Sequence, residues 1–247
     1  MLWNSFECID FIFEGKKAKV IIPDCKEKKD VLILKTEYFN AFPEAEIELV
    51  KQGFYLCFVE NDSRWGYEVD IDRKARFVEF VAAEYGTKAK CVPVGMSCGG
   101  LIAVRFAEKH PELVACLYLD APVMNYMSCP CGFGEGVRCN DDFPEILDVF
   151  GMKSISELIC YREMPMDKIP TLGENKIPVI LVAGDSDEIV PYHENGLLLE
   201  EYYKHNNLPI EVYIKENCNH HPPGLDDPAP IIEFINNYSC NKTDLDI

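Results

Sequence analysis

The run Val92-Pro93-Val94-Gly95-Met96-Ser97-Cys98-Gly99-Gly100-Leu101 limits the available folds more than any other part of the chain. An apolar stretch leads into Gly-x-Ser-x-Gly, and a helical pattern starts at Leu101. That order dictates a strand, a sharp turn with Ser97 at its apex, and a helix behind it. So tight a turn needs positions without bulk two residues on either side of the serine, and Gly95 and Gly99 stand there. The helix starts directly behind Ser97, so its free N–H groups and its dipole favour negative charge at the apex. Ser97 is therefore the candidate nucleophile. The apex presents one side chain, so Cys98 is expected to turn into the helix packing.

The flanking sequence supplies a sheet to carry this turn. Residues 6–13 and 17–22 read as strands of a hairpin closed by Glu14-Gly15. Strand patterns at 31–34, 54–59, 89–94, 113–119, 178–183 and 209–215 alternate with helical patterns at 43–52, 70–85, 101–109, 193–206 and 227–237. Alternation of this kind predicts an α/β fold: a mainly parallel central sheet, helices on both faces, and the opening hairpin antiparallel at one edge. The 247 residues fit a single domain, 1–247. Residues 123–175 break the rhythm and are too long for an ordinary loop. They read as a cap or lid insertion with short helical patterns near 143–150 and 154–162. Pro93 interrupts a central strand, so a bulge or an unused ladder position is expected there.

A serine hydroxyl is a weak nucleophile at neutral pH. It needs a base within hydrogen-bond reach, and the base needs an orienting carboxylate. In an open parallel sheet such groups gather at the carboxyl ends of the strands. Asp187, in Gly184-Asp185-Ser186-Asp187-Glu188-Ile189-Val190-Pro191, follows the strand at 178–183 and is preferred as the acid over Asp185 and Asp120. His110, His193 and His205 sit at helix ends. His220 and His221 lie in a loop directly after the strand at 209–215, and His220 is preferred as the base. An oxyanion site needs two N–H donors. Cys98 supplies one by position, and Glu37, in the loop after 31–34, is chosen for the other. Tyr38, Trp65, Tyr126 and Met127 are candidates to line a substrate pocket, with simple core or lid packing as the alternative for each.

Charge and cysteine content narrow the partners. A formal charge of −18 repels phosphate backbones and anionic membranes, which argues against nucleic-acid or membrane partners and favours a small neutral substrate. The 12 cysteines resemble a disulfide framework only by count. Cys57, Cys91 and Cys116 lie inside apolar strand runs, where a thiol acts as a small hydrophobe. The opening residues show no basic stretch followed by an apolar one, so reduced thiols and a cytoplasmic location are expected. Cys129-Pro130-Cys131 with Cys139 lacks the spacing of a zinc knuckle, and the His220-His221 pair lacks a clear partner set, so no metal is expected. Gly132-Phe133-Gly134-Glu135-Gly136 has no strand leading into it and is not a dinucleotide fingerprint, so no cofactor is expected.

With these residues placed, the chain resembles the α/β-hydrolase superfamily over nearly its whole length. The Gly95-Met96-Ser97-Cys98-Gly99 turn, the Gly184-Asp185-Ser186-Asp187 segment leading to Val190-Pro191, and the late His220 carry the resemblance. It implies Ser97 as nucleophile, His220 as general base and then acid, and Asp187 as its orienter. The wording of 95–122 and 217–228 is similar to compact bacterial esterases, some of which act on acylated sugars or plant-wall esters. The His-Gly common at the oxyanion loop of that superfamily is here Lys35-Thr36. The resulting expectation is a serine esterase that hydrolyses short-chain acyl or acylated-carbohydrate esters through an acyl-enzyme. The alternatives are a peptidase or thioesterase on the same triad, or a catalytically silent binding protein.

Overall fold

The structure is a computed structural model and describes residues 1–239. Nine strands form one sheet: β1 (Leu2–Trp3), β2 (Phe6–Phe13), β3 (Lys16–Ile22), β4 (Leu32–Lys35), β5 (Leu56–Val59), β6 (Cys91–Met96), β7 (Leu117–Asp120), β8 (Val179–Gly184) and β9 (Ile210–Lys215). Their order is β1-β2-β3-β5-β4-β6-β7-β8-β9. The first three strands and the β3–β5 pair are antiparallel, and every pair from β5 to β9 is parallel. This is the α/β-hydrolase fold.

Strands β4 to β8 are buried on both faces, as their unbroken apolar runs require. Successive side chains leave a strand on opposite faces, so each strand feeds two cores. Leu32, Leu34, Cys91, Leu117, Leu119 and Leu181 pack toward α2 (Glu68–Tyr85), α3 (Cys98–Lys109) and α7 (Gly196–His205). Ile33, Val92, Val94, Tyr118, Ile180 and Val182 pack toward α1 (Glu44–Lys51) and α8 (Ala229–Ser239).

The hairpin turn falls at Glu14-Gly15, both with positive φ, as two-residue loops between twisted strands require. Gly86 closes α2 in the left-handed conformation at φ 67°, where a residue without Cβ pays no penalty. Pro93 leaves its mark on the ladder. Between the isolated bridge Cys91↔Val114 and the resumed pairing Val94↔Tyr118, the offset grows by one residue. The extra residue lies on the β7 side, opposite the proline that cannot donate.

Four elements lie outside the sequence reading: the two-residue β1, the 3-10 turns Pro111–Leu113 and Pro165–Lys168, and α6 (Ile169–Glu174). The last two belong to residues 123–175, read from the sequence as a cap or lid insertion, which also hold α4 (Asp142–Val149) and α5 (Ile155–Cys160). Met124, Tyr126, Ile146, Leu158, Met164 and Leu172 join this stretch to the α2–α3–α7 core.

Candidate active site

Ser97 stands between β6 and α3 with φ 54° and ψ −121°, a conformation that costs a non-glycine residue free energy and persists only where its surroundings enforce it. Those surroundings are visible. Its N–H donates to the Asp120 carbonyl at 2.9 Å, and its carbonyl accepts from Gly100 and Val123 at 3.0 and 3.1 Å. A methyl group at Gly95 would lie 2.6 Å from Gly100 N and nearer still to the Gly99 carbonyl, so glycine is obligatory there. The second strict position is Gly100, where a Cβ would sit 2.5 Å from Pro122 Cβ. At Gly99 the nearest atoms would be 3.2 and 3.3 Å away, which is tight but less demanding.

His220 and Asp187 come to Ser97 from the ends of β9 and β8. His220 Nε2 lies 3.2 Å from Ser97 Oγ, and Nδ1 lies 2.7 Å from Asp187 Oδ2. An ionised carboxylate only accepts, so Nδ1 carries the proton and the Nε2 lone pair faces the serine hydroxyl. Asp187 is 6 % exposed, and its Oδ1 accepts the N–H groups of Ile189 and Val190 at 2.9 and 2.8 Å. Both of its oxygens are thus fixed. Asp185 instead bonds the hydroxyl of Ser186 at the surface. His221 stacks on Phe42 with ring centroids 6.0 Å apart.

The oxyanion side is built on buried contacts. Thr36 is fully buried, with Oγ1 2.7 Å from the Gly99 carbonyl and 3.0 Å from that of Val94. The Asn61 amide donates to the Thr36 carbonyl at 2.9 Å and to the Glu37 carboxylate. Lys35 pairs with Glu46 of α1, both buried. A Cβ at Gly99 would be 3.3 Å from Glu37 Cβ, so this loop rests on the first turn of α3. The Cys98 N–H heads α3 and has no intrahelical acceptor. Among the described residues, the Glu37 N–H also donates to no backbone acceptor. The Cys98 side chain is buried as expected, and burial pushes its thiol up to about 11, which keeps it protonated at neutral pH.

A cavity of about 270 Å³ opens at Ser97, lined by Tyr38, Ala41, Phe42, Met96, Asp120, Ala121, His220, His221 and Pro223. Tyr38 is among these lining residues. Trp65, Tyr126 and Met127 are not among them. Trp65 is 1 % exposed and donates from Nε1 to Glu145 at 2.9 Å. Tyr126 donates its hydroxyl to the Trp65 carbonyl and meets that ring edge-on. Met127 packs at the border of the same core. No residue of 123–175 lines the cavity. Of the walls that sequence reasoning missed, Ala41, Phe42 and Pro223 lie in the two loops already singled out for Glu37 and His220, and Ala121 follows β7. Asp120, in sequence a candidate acid only, also lines the cavity. Burial pushes its carboxyl up to about 6, against the pull of the Gly224 N–H, Lys215 and Tyr118.

The sheet order, the strained serine turn and the Ser97–His220–Asp187 geometry define the class: a serine hydrolase of the α/β-hydrolase fold. Residues 60–237 match the prolyl oligopeptidase family, which is most of the chain, and the protein belongs to that family. Among solved structures it is similar to a putative dipeptidyl aminopeptidase IV from Bacteroides ovatus ATCC 8483, at 14% identity and TM-score 0.69, covering 95% of this chain and 35% of that one. It is also similar to the Pyrococcus horikoshii acylaminoacyl peptidase, at 15% identity and TM-score 0.68, covering 87% and 38%. A third is Porphyromonas gingivalis dipeptidyl peptidase 4, at 15% identity and TM-score 0.68, covering 96% and 35%. The match therefore takes in little more than a third of each of these longer chains. No curated protein matches.

Proposed function

We propose that Ser97 attacks a carboxylic ester and forms an acyl-enzyme, with His220 as base and then acid and Asp187 holding the imidazole. The carrying observation is the linked pair of contacts, Oγ to Nε2 at 3.2 Å and Nδ1 to Oδ2 at 2.7 Å. In the first step His220 takes the Ser97 proton as Oγ bonds to the carbonyl carbon. The oxyanion forms between the N–H groups of Cys98 and Glu37. His220 then returns the proton to the departing alcohol, and water repeats the sequence to release the acid.

The cavity favours a small acyl group. At about 270 Å³ it falls below the usual range for drug-sized ligands. Tyr38, Phe42 and Met96 give it apolar walls suited to a short alkyl chain. A second reading, cleavage of short peptide amides, is supported by membership of the prolyl oligopeptidase family. Turnover of p-nitrophenyl acetate, butyrate and octanoate, acetylated sugars and aminoacyl p-nitroanilides separates the two, with Ser97→Ala as control. The ester reading predicts fastest turnover of the short acyl esters and loss of activity in the control. Anilide hydrolysis outpacing every ester would transfer the assignment to a peptidase.

A further inference from the structure

Asp120 ends β7, is 2 % exposed and lines the Ser97 cavity, yet the triad does not use it. It touches both halves of the site. Its main-chain carbonyl accepts the Ser97 N–H at 2.9 Å, and it stands in register with Met96. Its side-chain Oδ2 accepts the Gly224 N–H at 2.5 Å and the Tyr118 hydroxyl at 3.3 Å. Gly224 lies in the loop that returns from His220 toward α8.

That loop has two limbs with different supports. The limb before His220 is tied to the Asp187 turn: Ser186 N–H donates to the Cys218 carbonyl at 3.0 Å, and Glu188 N–H to Asn219 Oδ1 at 3.2 Å. The limb after His220 receives the half-buried Lys215 at the Pro222 carbonyl, and it reaches the sheet interior through Gly224 and Asp120. An apolar residue would end a buried strand at less cost than a carboxylate. A carboxylate kept there against its desolvation, and bonded to the base loop, points to a role in the site.

We propose that Asp120 is a positioning residue that clamps the His220 loop to the strand end receiving the Ser97 N–H, and so sets the distance from Nε2 to Oγ. This rests on the reading of Ser97 and His220 given above. Asp120→Asn keeps a carbonyl oxygen for the Gly224 N–H. Asp120→Leu has similar bulk and no acceptor.

The test compares the full chain with these two variants in the rate of covalent labelling by a fluorophosphonate, in kcat and KM on p-nitrophenyl acetate, and in thermal midpoint. Asp120→Asn is expected to stay within about threefold of wild type. Asp120→Leu is expected to fold with an undiminished midpoint, yet to label and turn over about tenfold to a hundredfold more slowly with KM little changed, as for a small misplacement of reacting groups. Wild-type labelling by Asp120→Leu, or equal losses in both variants, overturns the clamp. Should Asp120→Leu not fold, Asp120→Ser, too short to reach Gly224, takes its place with the same two outcomes. A wild-type chain that takes no label removes the catalytic reading of Ser97, and the clamp with it.

Discussion

The loop after β4 and the loop after β9 meet at Ser97 and are built in opposite ways. The β4 loop is held from below by the buried Thr36 against two carbonyls and the buried Lys35 against Glu46, with the half-buried Asn61 across the Thr36 carbonyl. The β9 loop lies mostly at the surface and hangs from the Asp187 turn on one limb and from Asp120 on the other. The difference follows the chemistry. Oxyanion donors act without moving, so their loop is fixed into the core. The base must take a proton and return it, and its ring, 11% exposed, is oriented by the hydrogen bond to Asp187. Changes in the first loop should therefore appear mainly as lost stability, and changes in the second mainly as lost rate.

Four substitutions test that contrast. His220→Ala is the largest: kcat on a short acyl ester falls by roughly 10³–10⁶-fold. The thermal midpoint falls less than for the next variant, because the Asp187 carboxylate keeps the N–H groups of Ile189 and Val190; steady-state kinetics and a melting curve check both. Lys35→Met comes next. It leaves the buried Glu46 carboxylate unpaired, and one Glu46 oxygen already has no partner among the described residues. Denaturant unfolding should show a loss of about 3–5 kcal/mol. Restoration by the added change Glu46→Leu would tie the loss to the pair.

Asp120→Asn is third and has a pH signature. The Asp120 carboxyl is raised from 3.8 to about 6 by burial, so the folded state holds its proton more tightly than the unfolded state. Its cost is absent below about pH 4, grows through the interval, and is complete above pH 6. Asp120→Asn should be more stable than wild type at pH 7–8 by up to about 3 kcal/mol, with the gap closing below pH 4. A gap that widens toward low pH would contradict the sign. Thr36→Val is smallest. It removes the hydroxyl while keeping the shape and should cost about 1–3 kcal/mol in unfolding free energy, with a lesser effect on kcat.

Much of the frame was legible because apolar runs bounded by glycine and proline mark buried strands. The runs at 31–34, 54–59 and 178–183 overlap β4, β5 and β8. The helix behind Ser97 starts at Cys98 rather than Leu101, since Gly99 and Gly100 carry no periodic signal. The site was legible where a chemical type fell at a strand end, as with Asp187 and His220. It was not legible where placement depends on tertiary packing. Trp65 and Tyr126 look in sequence like any pocket aromatics, and only their bonds to Glu145 and the Trp65 carbonyl mark them as core. Phe42 and Pro223 reach the cavity because two loops distant in sequence converge there. The helix α6 was hidden because Pro170 and Gly173 lie inside it.

The central claim is that Ser97 is the residue acylated, with His220 as its base. Its most direct test is the mapped adduct of a fluorophosphonate on the intact chain, read by peptide mass. One adduct on Ser97 is predicted, absent in Ser97→Ala and formed far more slowly in His220→Ala, with Cys98 unmodified. No adduct on wild type, or one that survives Ser97→Ala, would contradict it.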